Sequence, residues 1–270
     1  MRTTLLAAFL GASLVAAASA AETKPIKALI ITGDEYHQWK QTAPHLKALL
    51  SKGGIEADVT ETPAKDLTPE NLAKYDVLLL NYRNTPNGAK SNPQSVWTKE
   101  NKQAFLDAVK GGKGLYVYHF ASSAFAGPTA FEKEYEKAIA GGWRGRGNHG
   151  KMHEFTVTPR KQHPITKDIG EFRHGRDELY QNSVMLPTSE VLVTAYSDKS
   201  VDPKNTDKHE PMVWVSKYGK GRVVQNVMGH DVEAMKGKGF QTLLLRGVEW
   251  AATGKVTTPV PAEVRSKSEE

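Results

Sequence analysis

The sequence predicts an α/β protein with a single Rossmann-like domain, and three apolar segments are the basis of that prediction. They are Lys27–Thr32, Asp76–Asn81 and Gly114–His119, and none of them alternates apolar with polar residues. Strands of this kind are typical of a parallel sheet that is covered on both faces. Helical patterns lie between them, so the alternation favours a parallel central sheet with helices on both faces.

The remaining N-terminal elements follow in a regular order. A weaker strand at Glu56–Thr60 completes a first β-α-β unit. The first helix is predicted with Thr42 as its N-cap and Gly53-Gly54 as its end, and the second helix runs from about Thr98 to Lys110. Both helices are amphipathic, as helices that cover a sheet should be.

After Gly141 the predicted strands become shorter and more polar, which is typical of antiparallel additions or edge strands. These strands are His153–Thr158, Val191–Thr194, Met212–Ser216 and Arg222–Asn226. A closing helix ends near Gly254. Residues 257–270 are rich in Pro, Lys, Ser and Glu, so we expect a disordered tail there.

Residues 1–20 have the pattern of a secretory signal peptide. One early Arg2 precedes an apolar run, and Ala18-Ser19-Ala20 fits a cleavage site. We therefore expect a folded domain over 21–256 in a periplasmic or secreted protein. The run is short and is followed at once by polar residues, which disfavours a membrane anchor.

The chain contains no cysteine, which excludes a disulfide and a thiolate nucleophile.

Composition also narrows the class of partner. The net charge of +6 comes with lysines that are scattered along the chain rather than grouped in basic blocks, so nucleic acid is not expected to bind. A formal G-x-G-x-x-G occurs at Gly145, Gly147 and Gly150, but a predicted helix precedes it and a strand follows it. A dinucleotide-binding motif needs the reverse order. We therefore expect a small-molecule partner, no nucleotide cofactor, and no membrane partner after cleavage.

Ligands of an open parallel sheet bind outside the carboxyl ends of its strands, and polar residues follow several of these strands. They are Asp34, Glu35 and His37 after the first strand, Asn81, Tyr82, Arg83 and Asn84 after the third, and His119, Ser122 and Ser123 after the fourth. His119 directly ends the most apolar strand, where related α/β enzymes carry a nucleophile. The sequence therefore predicts a site at this rim.

Two later segments extend the predicted site. The glycine-rich run Gly141–Gly150 is either a flexible loop or a lid, and the functional interpretation has Arg144, Arg146 and His149 closing over the rim. The strand near the C-terminus ends in the pair His230-Asp231. A carboxylate commonly orients a catalytic or metal-bound imidazole, so Asp231 is predicted to orient His230.

Several blocks of the chain together resemble the ThuA (trehalose utilisation) family. They are His149, His163–Thr166, Asp177–Tyr180, Glu210–Val215, Tyr218–Val223 and Gly229–Asp231, and they cover nearly the whole mature chain. The resemblance implies a class I glutamine amidotransferase-like fold. That fold uses a cysteine at an elbow, where this chain reads His119–Ser123, and an acid where it has Val232. Amidotransferase activity is therefore not expected.

The resemblance also implies carbohydrate catabolism, with disaccharides such as trehalose, or their 3-keto derivatives, as substrates. In a 3-keto sugar the carbonyl acidifies the adjacent C–H, so a histidine base and a cation would permit elimination of the glycosidic group. We therefore favour a metal-assisted lyase or hydrolase. In this hypothesis His37, His119 and His230 bind a divalent transition metal such as Zn²⁺ or transfer the proton. The predicted sugar-binding residues are Tyr82, Arg83, Arg146, His149 and Glu178.

A binding function stays open beside the enzymatic one. An exported sugar-binding module, or a non-catalytic partner of a sugar oxidoreductase, would use the same rim without turnover. Trp39, Trp97 and Trp143 would then be stacking platforms for sugar rings, if they are not packed in the core.

Two other hydrolytic mechanisms are weaker. A serine hydrolase would use Ser122 or Ser123 with His230 and its neighbouring carboxylate, but no G-x-S-x-G surrounds either serine. Paired-carboxylate hydrolysis would use Asp177 and Glu178. Neighbours in a strand point to opposite faces, so these two side chains are poorly placed to flank one bond.

Overall fold

A computed structural model describes residues 24–34, 37–84 and 88–267; the predicted signal peptide and Glu35 lie outside them. The strands are β1 (Lys27–Ile31), β2 (Glu56–Thr60), β3 (Val77–Leu80), β4 (Gly114–Tyr118), β5 (Gly141–Gly142), β6 (Asn148–His149), β7 (His153–Pro159), β8 (Phe172–Asp177), β9 (Tyr180–Gln181), β10 (Val184–Met185), β11 (Glu190–Ser197), β12 (Lys208–Tyr218) and β13 (Gly221–Asn226). The α-helices are α1 (Trp39–Lys52), α2 (Pro63–Asp66), α3 (Pro69–Leu72), α4 (Gly88–Ser91), α5 (Lys99–Gly111), α6 (Ala130–Ile139) and α7 (Lys238–Thr253). Short 3-10 helices cover Pro93–Ser95, His119–Ser123, Ala234–Lys236 and Ala262–Val264.

Nine of the described strands form one sheet in the order β2-β1-β3-β4-β13-β12-β11-β7-β8. The first five are parallel and the last four are added antiparallel, so the predicted mixed α/β architecture is confirmed. One strand differs from the prediction. We grouped β13 with the antiparallel additions, but it lies in the middle of the sheet, parallel to β4, with Val223 opposite Leu115.

The core lies in two layers, one on each face of the sheet. Successive residues of a strand point to opposite faces, and in β3 the alternating apolar residues Val77 and Leu78 enter different layers. Helices α1 and α7 cover the first face, while α5 and α6 cover the second. No described helix is long and apolar enough to cross a membrane.

The first helix begins earlier than predicted. It starts at Trp39, after Gln38, and Thr42 lies inside it as a buried residue. The Thr42 hydroxyl accepts a hydrogen bond from Asn81 Nδ2 at 3.1 Å instead of capping the helix. A threonine can satisfy its hydroxyl by tertiary contact as well as by capping, and the sequence pattern does not distinguish the two. By contrast, Thr98, near which the second helix was predicted to begin, is the N-cap of α5.

The segment after Val256 was expected to be disordered, but residues 257–267 pack against the domain. Val260 and Val264 are buried, and the backbone of Arg265 forms an isolated antiparallel β-bridge with that of Ile169. The anchor is the carboxylate of Glu249 in α7, which accepts hydrogen bonds from the backbone and hydroxyl groups of Thr257 and Thr258. The polar composition of this segment predicted disorder, but a buried carboxylate and the packing of two valines hold the segment in place.

Candidate metal centre

Four side chains from four separate segments meet at the carboxyl ends of the strands. They are His37, His119, Glu178 and His230, and each offers one potential ligand atom within 4.8 Å of the others. His37 follows β1, His119 follows β4 and His230 follows β13, so the strand-end rule placed the three histidines correctly. Glu178 comes from the antiparallel half, directly after β8.

His119 is held rigidly at the end of β4. It is fully buried, and its Nδ1 lies 2.7 Å from the carbonyl oxygen of Val227. Because a carbonyl only accepts, Nδ1 carries the hydrogen of this bond, and in the neutral ring the lone pair is on Nε2. That atom faces Glu178 Oε2 at 3.4 Å and the hydroxyl of Tyr180 at 3.1 Å. This arrangement is typical of a metal-binding histidine, whose second nitrogen is fixed by an outer partner.

Two of the histidines have left-handed backbone conformations. The φ angle is +53° at His37 and +41° at His119, a region that residues other than glycine rarely adopt. Such conformations cost about 1–3 kcal/mol each and are concentrated at functional sites, where the surrounding structure enforces them. Here they turn the chain so that both imidazoles face the cluster; the ring centroids lie 5.1 Å apart.

His230 reaches the cluster through a glycine turn. The preceding Gly229 has φ +98°, and a Cβ atom there would lie 2.7 Å from the ring of Phe240. The Nδ1 atom of His230 is buried and makes no hydrogen bond of normal geometry within the described chain, although Glu178 Oε2 lies 3.2 Å away. A buried nitrogen without a hydrogen bond is costly unless another group, such as a metal ion, satisfies it.

Glu178 joins the histidines through its two oxygens. Oε2 lies 3.4 Å from His119 Nε2 and 3.2 Å from His230 Nδ1, while Oε1 lies 3.4 Å from His149 Nε2. Ligands bound tetrahedrally at 2.0–2.1 Å are separated from one another by about 3.3 Å. The spacing of Glu178 Oε2 from His119 and His230 therefore suits a divalent ion that these three side chains share.

The electrostatics of the cluster favour the protonation states that bind a metal ion, which are a neutral imidazole at His37 and an ionised carboxylate at Glu178. Burial, together with the neighbouring His119 and His230, lowers the pKa of His37 to about 3, so this imidazole is neutral at pH 7. Burial by itself would raise the pKa of Glu178, but the contacts with His119 and His230 outweigh it and lower the pKa. The contact with Glu178 raises the pKa of His230, so a metal ion must compete with a proton there.

Aromatic residues and one more histidine surround the cluster on its outer side. His149 is half-buried, and its Nδ1 lies 2.7 Å from the carbonyl oxygen of Gly150, which leaves Nε2 as its basic atom. The ring of Tyr180 lies between those of His119 and Trp143, with centroid distances of 4.6 and 4.3 Å.

Other predicted site residues lie elsewhere or have other roles. Tyr82 is buried in the core, and its hydroxyl donates to the carbonyl of Ser95, so it is not at the rim. Asp231 does not orient His230; its Oδ1 accepts the backbone N–H of Ala234 and so caps a 3-10 turn. Sequence adjacency was misleading here, because the backbone turn directs the two side chains apart.

The glycine-rich segment Gly141–Gly150 is paired with other strands at both ends, so it does not have the freedom expected of a lid. Its ends pair as short strands, β5 with β10 and β6 with β9. Arg144 is buried and donates to the carbonyls of Ser122 and Ala124, while Arg146 is exposed in the connecting loop. Only His149 of the predicted lid residues contacts the cluster.

Arg83 is half-buried, and its charge contributes to the lowered pKa of His37, so it lies near the site.

The serine mechanism and two of the tryptophan platforms do not fit the geometry. Ser122 Oγ accepts the backbone N–H of Trp143, and Ser123 Oγ donates to the carbonyl of Phe120. Trp39 and Trp97 are buried in the core, whereas Trp143 keeps partial exposure next to His149.

Two features of the site were missed by the sequence analysis. Glu178 was assigned to sugar binding, yet it is the carboxylate of the cluster, and Tyr180 was not assigned a role. Both belong to the block Asp177–Tyr180, which carries part of the resemblance and whose two carboxylates were considered only for a weaker hydrolytic mechanism. The strand-end rule concerns parallel sheets, so it predicts no ligand after a strand of the antiparallel half.

Comparisons with known proteins agree with this fold. The sequence model of the ThuA family, described as trehalose utilisation, matches residues 27–251. A ThuA-like protein from Parabacteroides merdae is 32% identical, with a TM-score of 0.77 over 91% of this chain and 96% of that one. A ThuA-like protein from Bacteroides uniformis is 22% identical, with a TM-score of 0.66 over 90% and 98% of the two chains. A Salmonella typhimurium protein described as cytoplasmic shares the fold at 15% identity, with a TM-score of 0.58 over 84% and 100%. No curated protein matches the sequence significantly.

Proposed function

The chain belongs to the ThuA family, whose description places it in trehalose utilisation, and from this premise we propose that it is a metal-dependent enzyme of carbohydrate catabolism. Its metal ligands are His37, His119, Glu178 and His230, and its substrate is a disaccharide or a 3-keto derivative of one. The reaction is a lyase or hydrolase reaction at the glycosidic bond. The observation that supports this most strongly is the convergence of three imidazoles and one carboxylate on a single point at the strand ends.

The donor set favours a divalent transition metal such as Zn²⁺. Imidazole nitrogens suit Zn, Cu, Fe and Ni, whereas Mg and Ca prefer oxygen ligands alone. The fixed Nδ1 of His119 and the unsatisfied Nδ1 of His230 both fit a metal centre better than an ordinary polar cluster. When bound, such an ion would stabilise the negative charge that develops on a carbonyl oxygen.

The protein's own residues then have distinct roles. His149 lies outside the ligand set, and its basic Nε2 points toward the cluster, so it is our candidate for the general base. It would take the proton from the carbon next to a 3-keto carbonyl. The electrons of that C–H bond form the new C=C bond as the glycosidic C–O bond breaks, and the departing oxygen takes up a proton. Addition of water to the unsaturated product would make the net reaction a hydrolysis.

The first experiment tests the metal centre. We expect the purified mature protein to bind close to one equivalent of Zn²⁺ or a similar ion by elemental analysis, and His119→Ala and His230→Ala to lose it. His209→Ala is the matched control, because His209 is exposed on β12 away from the cluster. A wild-type protein that takes up no metal even after reconstitution would overturn the metal-dependent mechanism.

The second experiment tests the chemistry. Wild type and His149→Gln are incubated with trehalose and with its 3-keto derivative, and release of a free sugar is measured. We expect turnover of the keto sugar by the wild type, and loss of turnover with retained metal in His149→Gln. Affinity for these sugars without turnover would instead favour the non-catalytic binding module, for which half-exposed Trp143 offers a stacking surface.

The place of action is part of the proposal. The leader pattern of residues 1–20 supports export, so we propose that the enzyme acts in the periplasm or outside the cell. Mass spectrometry of the protein from its host would find a chain beginning near Ala21 if this is correct. A chain that retains the leader would contradict it.

A further inference from the structure

The carboxylate of Asp177 lies fully buried, one residue before Glu178, and receives four hydrogen bonds. Oδ2 accepts from His174 Nε2 at 2.7 Å and from the backbone N–H of Gly229 at 2.6 Å. Oδ1 accepts from the backbone N–H groups of Glu178 at 2.7 Å and of His230 at 3.0 Å. Three of the four donors are thus backbone groups at, or next to, two of the candidate metal ligands.

These bonds connect the ends of two strands that are not paired with each other in the sheet. Glu178 follows β8 at the edge of the sheet, whereas His230 follows β13, and three other strands separate β8 from β13. No strand pairing therefore fixes the distance between the two ligands. Asp177 spans the gap, because one oxygen binds both the Glu178 and the His230 backbones.

We propose that Asp177 is a positioning residue that holds Glu178 and His230 in register, and that His174 in turn holds the Asp177 carboxylate. The inference deepens the proposed function and takes the cluster to be a metal site. Hydrogen bonds to a buried carboxylate are stronger than those between neutral groups, so they can fix a backbone turn firmly. Outer groups that orient metal ligands typically change metal affinity by about 10- to 100-fold when they are removed.

A second buried carboxylate offers a matched control. Glu249 also accepts four hydrogen bonds, from the N–H and hydroxyl groups of Thr257 and Thr258, at 2.6–2.9 Å. It lies at the opposite end of the strands, near Lys24 and the start of β1. Glu249→Gln therefore removes the same kind of hydrogen-bonded charge without touching the cluster.

The test compares wild type, Asp177→Asn and Glu249→Gln, each stripped of metal and shown to be folded by circular dichroism. Zn²⁺ affinity is measured by competition with a chromogenic chelator. We expect Asp177→Asn to bind Zn²⁺ about 10- to 100-fold more weakly, and Glu249→Gln to bind like wild type although it too is less stable. Wild-type affinity in folded Asp177→Asn, or an equal loss in Glu249→Gln, would overturn the inference.

A metal-free measurement keeps the inference separate from the proposed function. Amide hydrogen exchange is followed in residues 226–231, and Asp177→Asn should accelerate it there while Glu249→Gln should accelerate it only near residues 257–260. If wild type binds no Zn²⁺, the metal proposal fails, and the exchange data still decide whether Asp177 holds the His230 segment. Unchanged exchange at 226–231 would contradict the positioning role.

His174 supplies a milder variant in case Asp177→Asn does not fold. His174→Leu removes one of the four donors, whereas His174→Gln keeps an N–H donor. We expect a smaller affinity loss and a smaller rise in exchange in His174→Leu than in Asp177→Asn, with partial rescue in His174→Gln. Equal behaviour of the two His174 variants would show that the hydrogen bond to Asp177 has no effect on the site.

Discussion

The parallel and antiparallel halves of the sheet contribute different side chains to the candidate metal centre. The parallel half supplies imidazoles, because the ends of β1, β4 and β13 are followed by His37, His119 and His230. The antiparallel half supplies the carboxylate Glu178 and the outer residue Tyr180. The site thus combines side chains of both halves, and neither half contains the complete candidate ligand set.

The two halves of the sheet hold their candidate ligands in position by different means. In the parallel half, hydrogen bonds between neighbouring strands fix the relative positions of the candidate ligands. Across the gap between β13 and β8, side chains must do this instead, and Asp177 is the group that does so. The five predictions below test that division, from the largest expected effect to the smallest.

Removing the carboxylate of the candidate ligand set should have the largest effect. We expect Glu178→Gln to lower Zn²⁺ affinity by more than about 100-fold, beyond the range for outer groups, because it removes the only anionic ligand of the candidate set. Chelator competition measures this. Glu171→Gln is the control, since Glu171 is exposed just before β8 and bonds Thr158. Similar affinities of the two variants would show that the antiparallel half supplies no ligand.

Adding a side chain at Gly229, in the turn before His230, should destabilise the parallel half. In Gly229→Ala the new Cβ would lie 2.7 Å from Phe240 and 2.9 Å from Tyr118, at φ +98°. Overpacking and backbone strain together should lower the free energy of unfolding by about 2–4 kcal/mol in urea titrations. Gly54→Ala has φ +77° but open space around it, so about 1 kcal/mol is expected there. Equal losses would mean that the turn is not closely packed.

Acid should weaken the metal-free fold through His37. The pKa of His37 is about 3 in the folded protein against 6.5 for the free side chain, so between these values the unfolded chain binds the extra proton. The contribution is lost as pH falls from 6.5 toward 3. The unfolding free energy of wild type should therefore drop more between pH 7 and pH 4.5 than that of His37→Gln. Parallel pH curves for the two proteins would contradict the lowered pKa.

His230 should respond in the opposite sense. Its pKa is raised by Glu178, so its contribution is complete below pH 6.5 and is lost as pH rises through the folded value. Imidazole NMR titration of the metal-free protein should show His230 titrating above 6.5. A His230 midpoint at or below 6.5 would show that its contact with Glu178 is not maintained in solution.

The smallest effect is expected for Arg146, which the sequence analysis assigned to sugar binding. Arg146 is exposed in the loop between β5 and β6. Arg146→Ala should leave Zn²⁺ affinity unchanged and shift the unfolding free energy by less than about 0.5 kcal/mol. A large loss of sugar turnover in this variant would restore its predicted role and show that the loop closes over the substrate.

Much of the fold follows from local pattern. The buried strands β1, β3 and β4 were predictable because a run of apolar residues without alternation fits a strand covered on both faces. The position of β13 was not, since its mixed sequence reads like an edge strand while Val223 and Val224 are buried in the centre. The ordered C-terminal segment was missed because its composition is polar, and composition does not show that Thr257 and Thr258 bond the buried carboxylate of Glu249.

By itself the sequence determined the class of fold, the family and the three histidines of the site. Each of these follows from residues that are close along the chain or from blocks that occur in a fixed order. Only the tertiary structure decided that Glu178 completes the cluster, that Asp231 and Tyr82 do not take part, and that Asp177 joins the two halves. The physical reason is that side-chain direction at a strand end depends on the backbone turn and on buried hydrogen bonds between distant segments.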